Sequence, residues 1–472
     1  MHSTYKQGAA LSVGTAVAGK VFSLANSLLI AFLFGASAGT DIYFYILLAA
    51  AVLNGWLQGV NAAVIVPQFM HLREKDERAA IGFANFFIYV YLAAAVLLTG
   101  VCFAFSESHF AWLGALYFSA LFISGFLLYL AECYKLFKIY WLLPLNTLCA
   151  LVLLVLTRKI EASMLGYTIG YFIIAIGCIT TLKKSAGWDF GARRGDFGKK
   201  FAHDLAAAQP NGLAWAAMGV APLVLIMQWP LAMTMVAYSR MLYESLIDIF
   251  TSKLNGVAKV KITAAAAAQE PAQTAAALKR TDIIVVFILA PVCAFTAFYA
   301  EDIIKLFFMR GSFSHDMARA AAYYLQIFIL AVPLISLHHN FYNLLSALRL
   351  VKETALRYFT FALVFTAAFL ITVKEWGPQA YPITFLGLYI MLMFVNIWTA
   401  RQFAAFLAYW RHMVYMLKLM TISLFCAFAV CLWLDNLFIS GGVFVLLNAF
   451  IFWVFGDVKK FKEAVNIKWK LR

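Results

Sequence analysis

The sequence has few charged residues for its length. Asp, Glu, Lys and Arg make up 12% of its 472 residues, against about a quarter in a typical soluble domain. It also contains no CxxC pair, no Walker A sequence and no HExxH sequence. The scarcity of charge excludes a soluble globular protein and a disordered one, and the absence of CxxC argues against a redox or metal framework. Without a Walker A sequence, this chain is not expected to drive transport with ATP by itself.

Apolar residues instead make up 64% of the sequence, and its mean hydropathy is +0.85. A helix that crosses a bilayer needs about 20 mostly apolar residues. Stretches of this kind recur along the chain and predict an all-α polytopic membrane protein with about 14 transmembrane helices. The predicted spans lie near residues 9–35, 41–66, 80–105, 109–134, 139–157, 162–182, 211–228, 230–252, 281–300, 318–347, 354–373, 379–400, 412–434 and 436–456.

Basic residues outnumber acidic ones by 37 to 22, which gives a formal net charge of +15. They concentrate in alternate connections, such as 71–78, 183–204 and 253–280, and in the C-terminal tail. In membrane proteins, basic residues flank the cytoplasmic ends of the spans. The pattern predicts that both termini are cytoplasmic, that the protein contacts membrane lipids and that nucleic acid is not a partner.

The longest connection, 183–208, mixes basic and apolar residues and predicts an amphipathic cytoplasmic linker. It divides the chain into an N-terminal six-helix bundle at 1–182 and a C-terminal six-helix bundle at 209–400. Two extra helices and a basic cytoplasmic tail occupy 401–472 in this interpretation. The seven cysteines lie in or beside the apolar stretches and are interpreted as small buried residues. Neither a metal site nor a cofactor is predicted.

Polar side chains inside the predicted spans are the informative residues, because each is costly in hydrocarbon unless it faces a partner or a hydrated cavity. Lys20 lies near the middle of the first span, with Asn26 nearby. In the second and eighth spans, spacings of three or four residues place polar side chains on one helix face each. These two stripes are Asn54, Gln58 and Asn61, and Arg240, Glu244 and Asp248.

Each stripe has two interpretations. Arg240 and Glu244 could neutralise each other as an i, i+4 pair, and the amides of the second span could join helices. The alternative is that both stripes line a hydrated cavity. For Lys20, whose own helix face carries no acidic residue, we favour the cavity. His338 and His339 are adjacent, point about 100° apart on a helix and cannot share a metal ion.

Several short motifs follow one another in an order typical of one known family. Residues 29–41 read LIAFLFGASAGTD at the junction of the first two spans, and Val66-Pro67 closes the second span. Residues 237–243 read AYSRMLY, and residues 306–313 read LFFMRGSF. With Phe341-Tyr342 in the tenth span, these stretches resemble the MviN/MurJ family of lipid-linked-oligosaccharide flippases, within the multidrug/oligosaccharidyl-lipid/polysaccharide exporter superfamily.

The resemblance implies two six-helix bundles around a V-shaped central cavity, with two peripheral C-terminal helices. It implies a flippase, and not an enzyme, in the bacterial cytoplasmic (inner) membrane. The cargo would be an undecaprenyl-pyrophosphate-linked glycan, either lipid II for peptidoglycan or a polysaccharide repeat unit, moved to the outer leaflet by alternating access. Glycan-assembly proteins are possible partners. The implied substrate-binding residues are Lys20, Asn26, Asn54, Gln58, Asn61 and Arg240, and the implied gate or coupling residues are Asp41, Glu244 and Asp248.

The sequence also departs from the family pattern. The family's first span carries two arginines that face the cavity, and the matching positions here hold Lys20 and Asn26. The arginine pair of the family's second span has no equivalent near Asn54, and residues 260–263 replace the motif that closes the eighth span. Acidic residues that form a sodium site in some relatives have no counterpart in spans seven and eleven. The resemblance therefore implies a less basic cavity, with Lys20 and Arg240 as its remaining cations at mid-depth.

Two other functions fit the same residues. A cation-coupled drug or metabolite exporter of the same superfamily would use Glu244 and Asp248 as its ion site. A non-transporting membrane scaffold of a glycan-assembly complex would use the polar stripes only to join helices. Neutralising Lys20 and Arg240 separates these cases, because a scaffold would keep its cellular function and a flippase would lose it.

Overall fold

The computed structural model describes residues 5–106, 108–191, 199–247, 271–347, 351–401 and 409–465. Within these ranges 91% of the residues are helical and there is no β-strand. The predicted fold class, an all-α polytopic membrane protein, is confirmed.

The first nine described helices range from nine to 30 residues in length. They are α1 (Tyr5–Phe34), α2 (Ala38–Val60), α3 (Val66–Lys75), α4 (Glu77–Phe105), α5 (His109–Cys133), α6 (Leu145–Thr157), α7 (Ile160–Ala186), α8 (Lys199–Met218) and α9 (Val220–Gln228). A π-helical turn, Asn61–Ile65, links α2 to α3, and a 3₁₀ segment, Phe137–Leu142, precedes α6.

The remaining described helices vary in length from nine to 33 residues. They are α10 (Ala232–Leu246), α11 (Pro271–Phe298), α12 (Ala300–Phe308), α13 (His315–Ala347), α14 (Val351–Trp376), α15 (Ala380–Arg401), α16 (Tyr409–Cys431), α17 (Leu437–Val454) and α18 (Asp457–Val465). A 3₁₀ turn, Gly377–Gln379, connects α14 to α15.

In the described part of the chain, 12 stretches are long and apolar enough to cross a membrane. One of them, Leu356–Asn396, is 41 residues long and overlaps two predicted spans, 354–373 and 379–400. The predicted span 230–252 reaches past Ile247 into residues outside the described ranges. The multi-pass character of the chain is therefore established, while the count of fourteen spans stays a prediction.

The chain divides into two compact units. The first consists of Met1–Thr234, Arg310–Phe313 and Tyr358–Thr366, and the second of the other residues. The core of the first unit includes Trp188, which is 2% exposed and stacks on Phe69. Residues 199–208 of the predicted linker belong to α8, and residues 192–198 lie outside the described ranges. The domain limits at 182, 208 and 400, the six-plus-six arrangement and the amphipathic role of the linker stay predictions.

Two glycines allow α7 to pack directly against the backbone of α6 in the first unit. A Cβ atom on Gly170 would lie 2.1 Å from the Cα of Asn146, and one on Gly166 would lie 2.5 Å from the Cα of Ala150. Their four-residue spacing puts both glycines on one helix face, as in the small-residue motifs of other membrane helices. Close packing here depends on the absence of side chains at these two positions.

Replacing Gly170 with valine is expected to destabilise the protein, because the new side chain overlaps the backbone of α6. Overpacking of this kind costs about 2–3 kcal/mol. Thermal unfolding of the purified protein would measure the loss as a lower Tm. Gly100→Val is the matched control, since a Cβ at Gly100 meets no atom within 4 Å. Equal Tm values for the two variants would contradict the packing argument.

Candidate functional site

Lys20 and Asn26 lie on α1, where Lys20 is half-buried and Asn26 is 1% exposed. The Asn26 Nδ2 group donates a hydrogen bond of 3.4 Å to the hydroxyl of Tyr43 on α2. The Ser163 hydroxyl on α7 donates to Asn26 Oδ1 at 3.2 Å and lies 3.1 Å from the Tyr43 hydroxyl. Asn26 therefore joins three helices, and its predicted contact with substrate stays a prediction.

The amides of the second span differ in their surroundings. Gln58 Nε2 donates to the carbonyl of Phe122 at 3.1 Å, and Asn61 Nδ2 donates to Gln58 Oε1 at 3.1 Å. The Tyr91 hydroxyl donates to Asn61 Oδ1 at 2.7 Å. These contacts favour the helix-joining interpretation for Gln58 and Asn61. Asn54 is different, because its buried Oδ1 has no hydrogen-bond partner among the described residues.

Asp41 acts as an N-terminal cap for a helix far away in sequence. Its carboxylate accepts hydrogen bonds from the backbone N–H of Leu231 at 2.5 Å and from the backbone N–H of Thr234 at 2.7 Å. The Thr234 hydroxyl also donates to it at 2.5 Å. Leu231, with a φ of +69°, immediately precedes α10. A negative charge at this end of a helix satisfies orphan N–H groups and complements the helix dipole.

Two of the motifs that suggested the family meet in space. Gly35 and Gly311 both have positive φ, +55° and +62°. The backbone N–H of Ser312 donates to the carbonyl of Phe32 at 2.9 Å. A Cβ on Gly311 would lie 2.3 Å from the Phe32 oxygen, and a Cβ on Gly35 would lie 2.3 Å from the Ser312 oxygen. Both the dihedral angles and the close approach require glycine, which explains its presence in each motif.

Arg240 lies on α10 and is bonded to Glu244 one turn further along. Its Nε and Nη2 atoms donate to the same oxygen, Glu244 Oε1, at 2.9 and 2.6 Å. The two side chains are 21% and 41% exposed. Tyr243 and Tyr381 are further electrostatic neighbours of the guanidinium. The i, i+4 pair is present, as one of the two interpretations predicted, and Asp248 lies outside the described residues.

This arrangement can exchange one anion for another. The guanidinium is partly exposed and is held through only one of the two carboxylate oxygens. A phosphate oxygen offers arginine the same charge-assisted hydrogen bonds, in bidentate geometry. Lys20 and Arg240 belong to different compact units, and their predicted position in one cavity stays a prediction.

Sequence reasoning missed the residues that hold these side chains in place. Thr234 and Ser163 are small hydroxyl residues inside apolar spans, and each is 0% exposed. Their partners, Asp41 and Asn26, lie more than a hundred residues away in sequence. No local spacing signals such a pair.

Comparison with known proteins identifies the fold. The chain is similar to a lipid II flippase MurJ in an inward closed conformation, with a TM-score of 0.75 and 16% identity over 94% of this chain and 98% of that one. It is also similar to a multidrug resistance MATE family transporter of the MOP superfamily in an inward-facing conformation, with a TM-score of 0.64 and 14% identity over 82% of this chain and 95% of that one. An outward-facing MATE structure gives a TM-score of 0.59 and 14% identity over 84% and 95%. No curated protein matches the chain in sequence.

The chain therefore has the multi-helix membrane fold that these MurJ and MATE structures share. Residues 226–452 match the family described as lipid II flippase MurJ. This match covers a little less than half of the chain and agrees with the resemblance of its motifs.

Proposed function

We propose that the chain is a flippase that moves an undecaprenyl-pyrophosphate-linked glycan, lipid II or a polysaccharide repeat unit, from the inner to the outer leaflet by alternating access. The observation that carries this proposal is the match of residues 226–452 to the lipid II flippase family. The fold agrees, because the similarity to MurJ extends over 94% of the chain.

Transport of such a lipid requires a polar route for a charged, sugar-bearing head group through hydrocarbon. Arg240 supplies one cation for the pyrophosphate, and Lys20 supplies another. Glu244 Oε1 lies 2.6 Å from Nη2 of the Arg240 guanidinium. An arriving phosphate displaces Glu244, and the carboxylate takes its place again when the substrate leaves. The exchange keeps the arginine partnered in both states and so avoids an uncompensated charge in the membrane.

The amide side chains would contact the sugar. Asn54 is the best supported of the proposed sugar-binding residues. Its buried Oδ1 has no hydrogen-bond partner among the described residues and can accept a hydrogen bond from a sugar hydroxyl. Asn26, Gln58 and Asn61 would have to exchange existing protein contacts for sugar contacts. Asp41 would contribute to a gate by releasing the first turn of α10, which it caps in this state.

The proposed setting is the bacterial cytoplasmic membrane, with both termini on the cytoplasmic side. The support for this orientation is the concentration of Lys and Arg in alternate connections and in the tail. Membrane lipids and the lipid-linked sugar are the proposed partners, and glycan-assembly proteins would supply the substrate.

Glu244→Gln is expected to change the apparent affinity for the lipid-linked glycan much more than the stability of the fold. The variant keeps a hydrogen-bond acceptor for Arg240 but lacks the charge that competes with phosphate, so flipping should saturate at a lower substrate concentration. Flipping rates across a series of substrate concentrations, with Tm measured in parallel, would show this effect. The control is Glu375→Gln at an exposed position, which should keep the wild-type dependence on substrate concentration. An unchanged dependence in Glu244→Gln would refute the exchange mechanism.

A depletion experiment tests the proposed function in cells. A strain depleted of its own lipid II flippase should recover growth when the wild-type chain is expressed, and lipid-linked precursor should no longer accumulate in the inner leaflet. A strain depleted of a polysaccharide repeat-unit flippase provides the parallel arm. Rescue of the first strain assigns lipid II, and rescue of the second assigns a repeat unit. Failure in both, with membrane-inserted protein, would contradict the proposal.

The second candidate is a cation-coupled exporter, which the similarity to MATE transporters favours. In this case Glu244 and Asp248 would bind the coupling ion. The two candidates differ in cargo: an exporter would lower the accumulation of a cationic dye in cells, and a flippase would leave it unchanged.

A further inference from the structure

A buried polar cluster joins three helices of the second unit and has no part in the function proposed above. Asp282 on α11 accepts a hydrogen bond from Asn340 Nδ2 on α13 at 2.8 Å. The other carboxylate oxygen of Asp282 lies 3.1 Å from Nε2 of His412 on α16. Asp282 and Asn340 are 0% exposed, and His412 is 7% exposed. These three residues are called the Asp282 cluster below.

Apolar side chains surround the Asp282 cluster. Leu278, Phe341, Met413 and Met416, which neighbour its members in sequence, belong to one hydrophobic core. The electrostatic partners of Asp282 among the described residues are His412 and Asn340. The carboxylate therefore depends on the imidazole for any compensating charge.

Several other charged groups lie on the surrounding helices. Lys418 on α16 pairs with Asp457 on α18 at 2.9 Å, and Arg411 is exposed. Four more titratable groups on α11 and α13 are not among the electrostatic partners of Asp282: Lys279 and Arg280, which are half-buried, and His338 and His339.

The charge of the Asp282 cluster depends on a single proton. An ionised Asp282 beside a neutral His412 gives a net charge of −1 in an apolar core, which is costly. One added proton, shared between the carboxylate and the imidazole, makes the cluster neutral and keeps its hydrogen bonds. The buried Oδ1 atom of Asn340 has no hydrogen-bond partner among the described residues. It can accept a hydrogen bond from a water molecule that brings or removes the proton.

All three residues lie at the same edge of the membrane-spanning region. Asp282 and His412 are near the beginnings of the stretches Ala276–Phe298 and Trp410–Cys431, and Asn340 is near the end of His315–Phe341. The charge pattern of the connections predicts that this edge is cytoplasmic. We propose that the Asp282 cluster is a buried proton-binding site near the cytoplasmic edge of the membrane, and that its bound proton holds α16 against α11 and α13.

The proposal predicts how stability depends on pH. In the proposed state the folded cluster holds one shared proton. The stabilising contribution of that proton is present at low pH and is lost as the pH rises and the cluster releases it. Thermal unfolding of the full-length protein in nanodiscs should show a Tm that falls by about 2 °C or more between about pH 6 and about pH 8.5.

Two single variants test the contributions of Asp282 and His412 to the pH dependence of Tm separately. In Asp282→Asn, the carboxylate that shares the proton is absent, so the fall of Tm with rising pH should disappear. In His412→Gln, Asp282 must fold protonated, so Tm should increase as the pH falls. His71→Gln, at an exposed position on α3, is the matched control and should keep the wild-type profile.

A Tm that falls with rising pH in wild type but not in Asp282→Asn would support the proposal. The same slope in both proteins would overturn it, and so would a pH-independent Tm in wild type. A wild-type Tm that responds to added sodium chloride but not to potassium chloride or pH would replace the proton with a metal ion and would also overturn it. Because the readout is stability, failure of this proposal leaves the proposed flippase activity untouched.

Discussion

Replacing Arg240 with alanine is expected to abolish flipping of the lipid-linked glycan while leaving the protein folded. The guanidinium makes two charge-assisted hydrogen bonds with Glu244, and we propose that the pyrophosphate takes them over. Loss of two such bonds costs about 3 kcal/mol, which corresponds to about a hundredfold slower transport. The measurement is the initial flipping rate in proteoliposomes, normalised to the amount of folded, inserted protein.

Two control variants are measured beside Arg240→Ala. Arg319→Ala removes an exposed arginine from α13 and should keep the wild-type rate. Arg240→Lys keeps the positive charge but loses the planar fork, so it should retain a small part of the activity. If Arg240→Ala transports as fast as Arg319→Ala, the guanidinium does not bind the phosphate.

Asp41→Ala is expected to have the largest effect on stability. The carboxylate accepts three hydrogen bonds, two of them from backbone N–H groups at the start of α10. Removing it leaves those groups unsatisfied in a buried position, at a cost of about 4 kcal/mol. Thermal unfolding should show a Tm lower by about 5 °C or more.

The controls for this variant test the capping role directly. Asp204→Ala removes an exposed carboxylate from α8 and should change stability by less than about 0.5 kcal/mol. Asp41→Asn keeps one acceptor oxygen and should fall between wild type and Asp41→Ala. A wild-type Tm in Asp41→Ala would show that the cap is dispensable.

The sequence is informative wherever the decisive contact is local. Apolar stretches of about 20 residues predict membrane helices because helix length must match the bilayer. The spacing of Arg240 and Glu244 predicts their pairing, since residues four apart share a helix face. The glycines in residues 29–41 and 306–313 supported the family resemblance, and residues 226–452 match the model of that family.

Contacts between distant residues could not be predicted in this way. Asp41 and Thr234 are separated by 193 residues, and Asp282 and His412 by 130. Nothing in the spacing around Asp41 indicates that it caps α10, because its partners are backbone N–H groups that every residue except proline carries. His412 looks like an ordinary polar residue at the start of a span until α11 and α13 are placed beside it.

Flipping by the purified wild-type protein tests the central claim most directly. Fluorescent undecaprenyl-pyrophosphate-linked sugar is incorporated into proteoliposomes, and its appearance in the opposite leaflet is followed by quenching with a membrane-impermeant reagent. The account predicts rapid transfer with wild type, and transfer no faster than in protein-free liposomes with Arg240→Ala. Folded, inserted wild-type protein that transfers the lipid no faster than protein-free liposomes would contradict it.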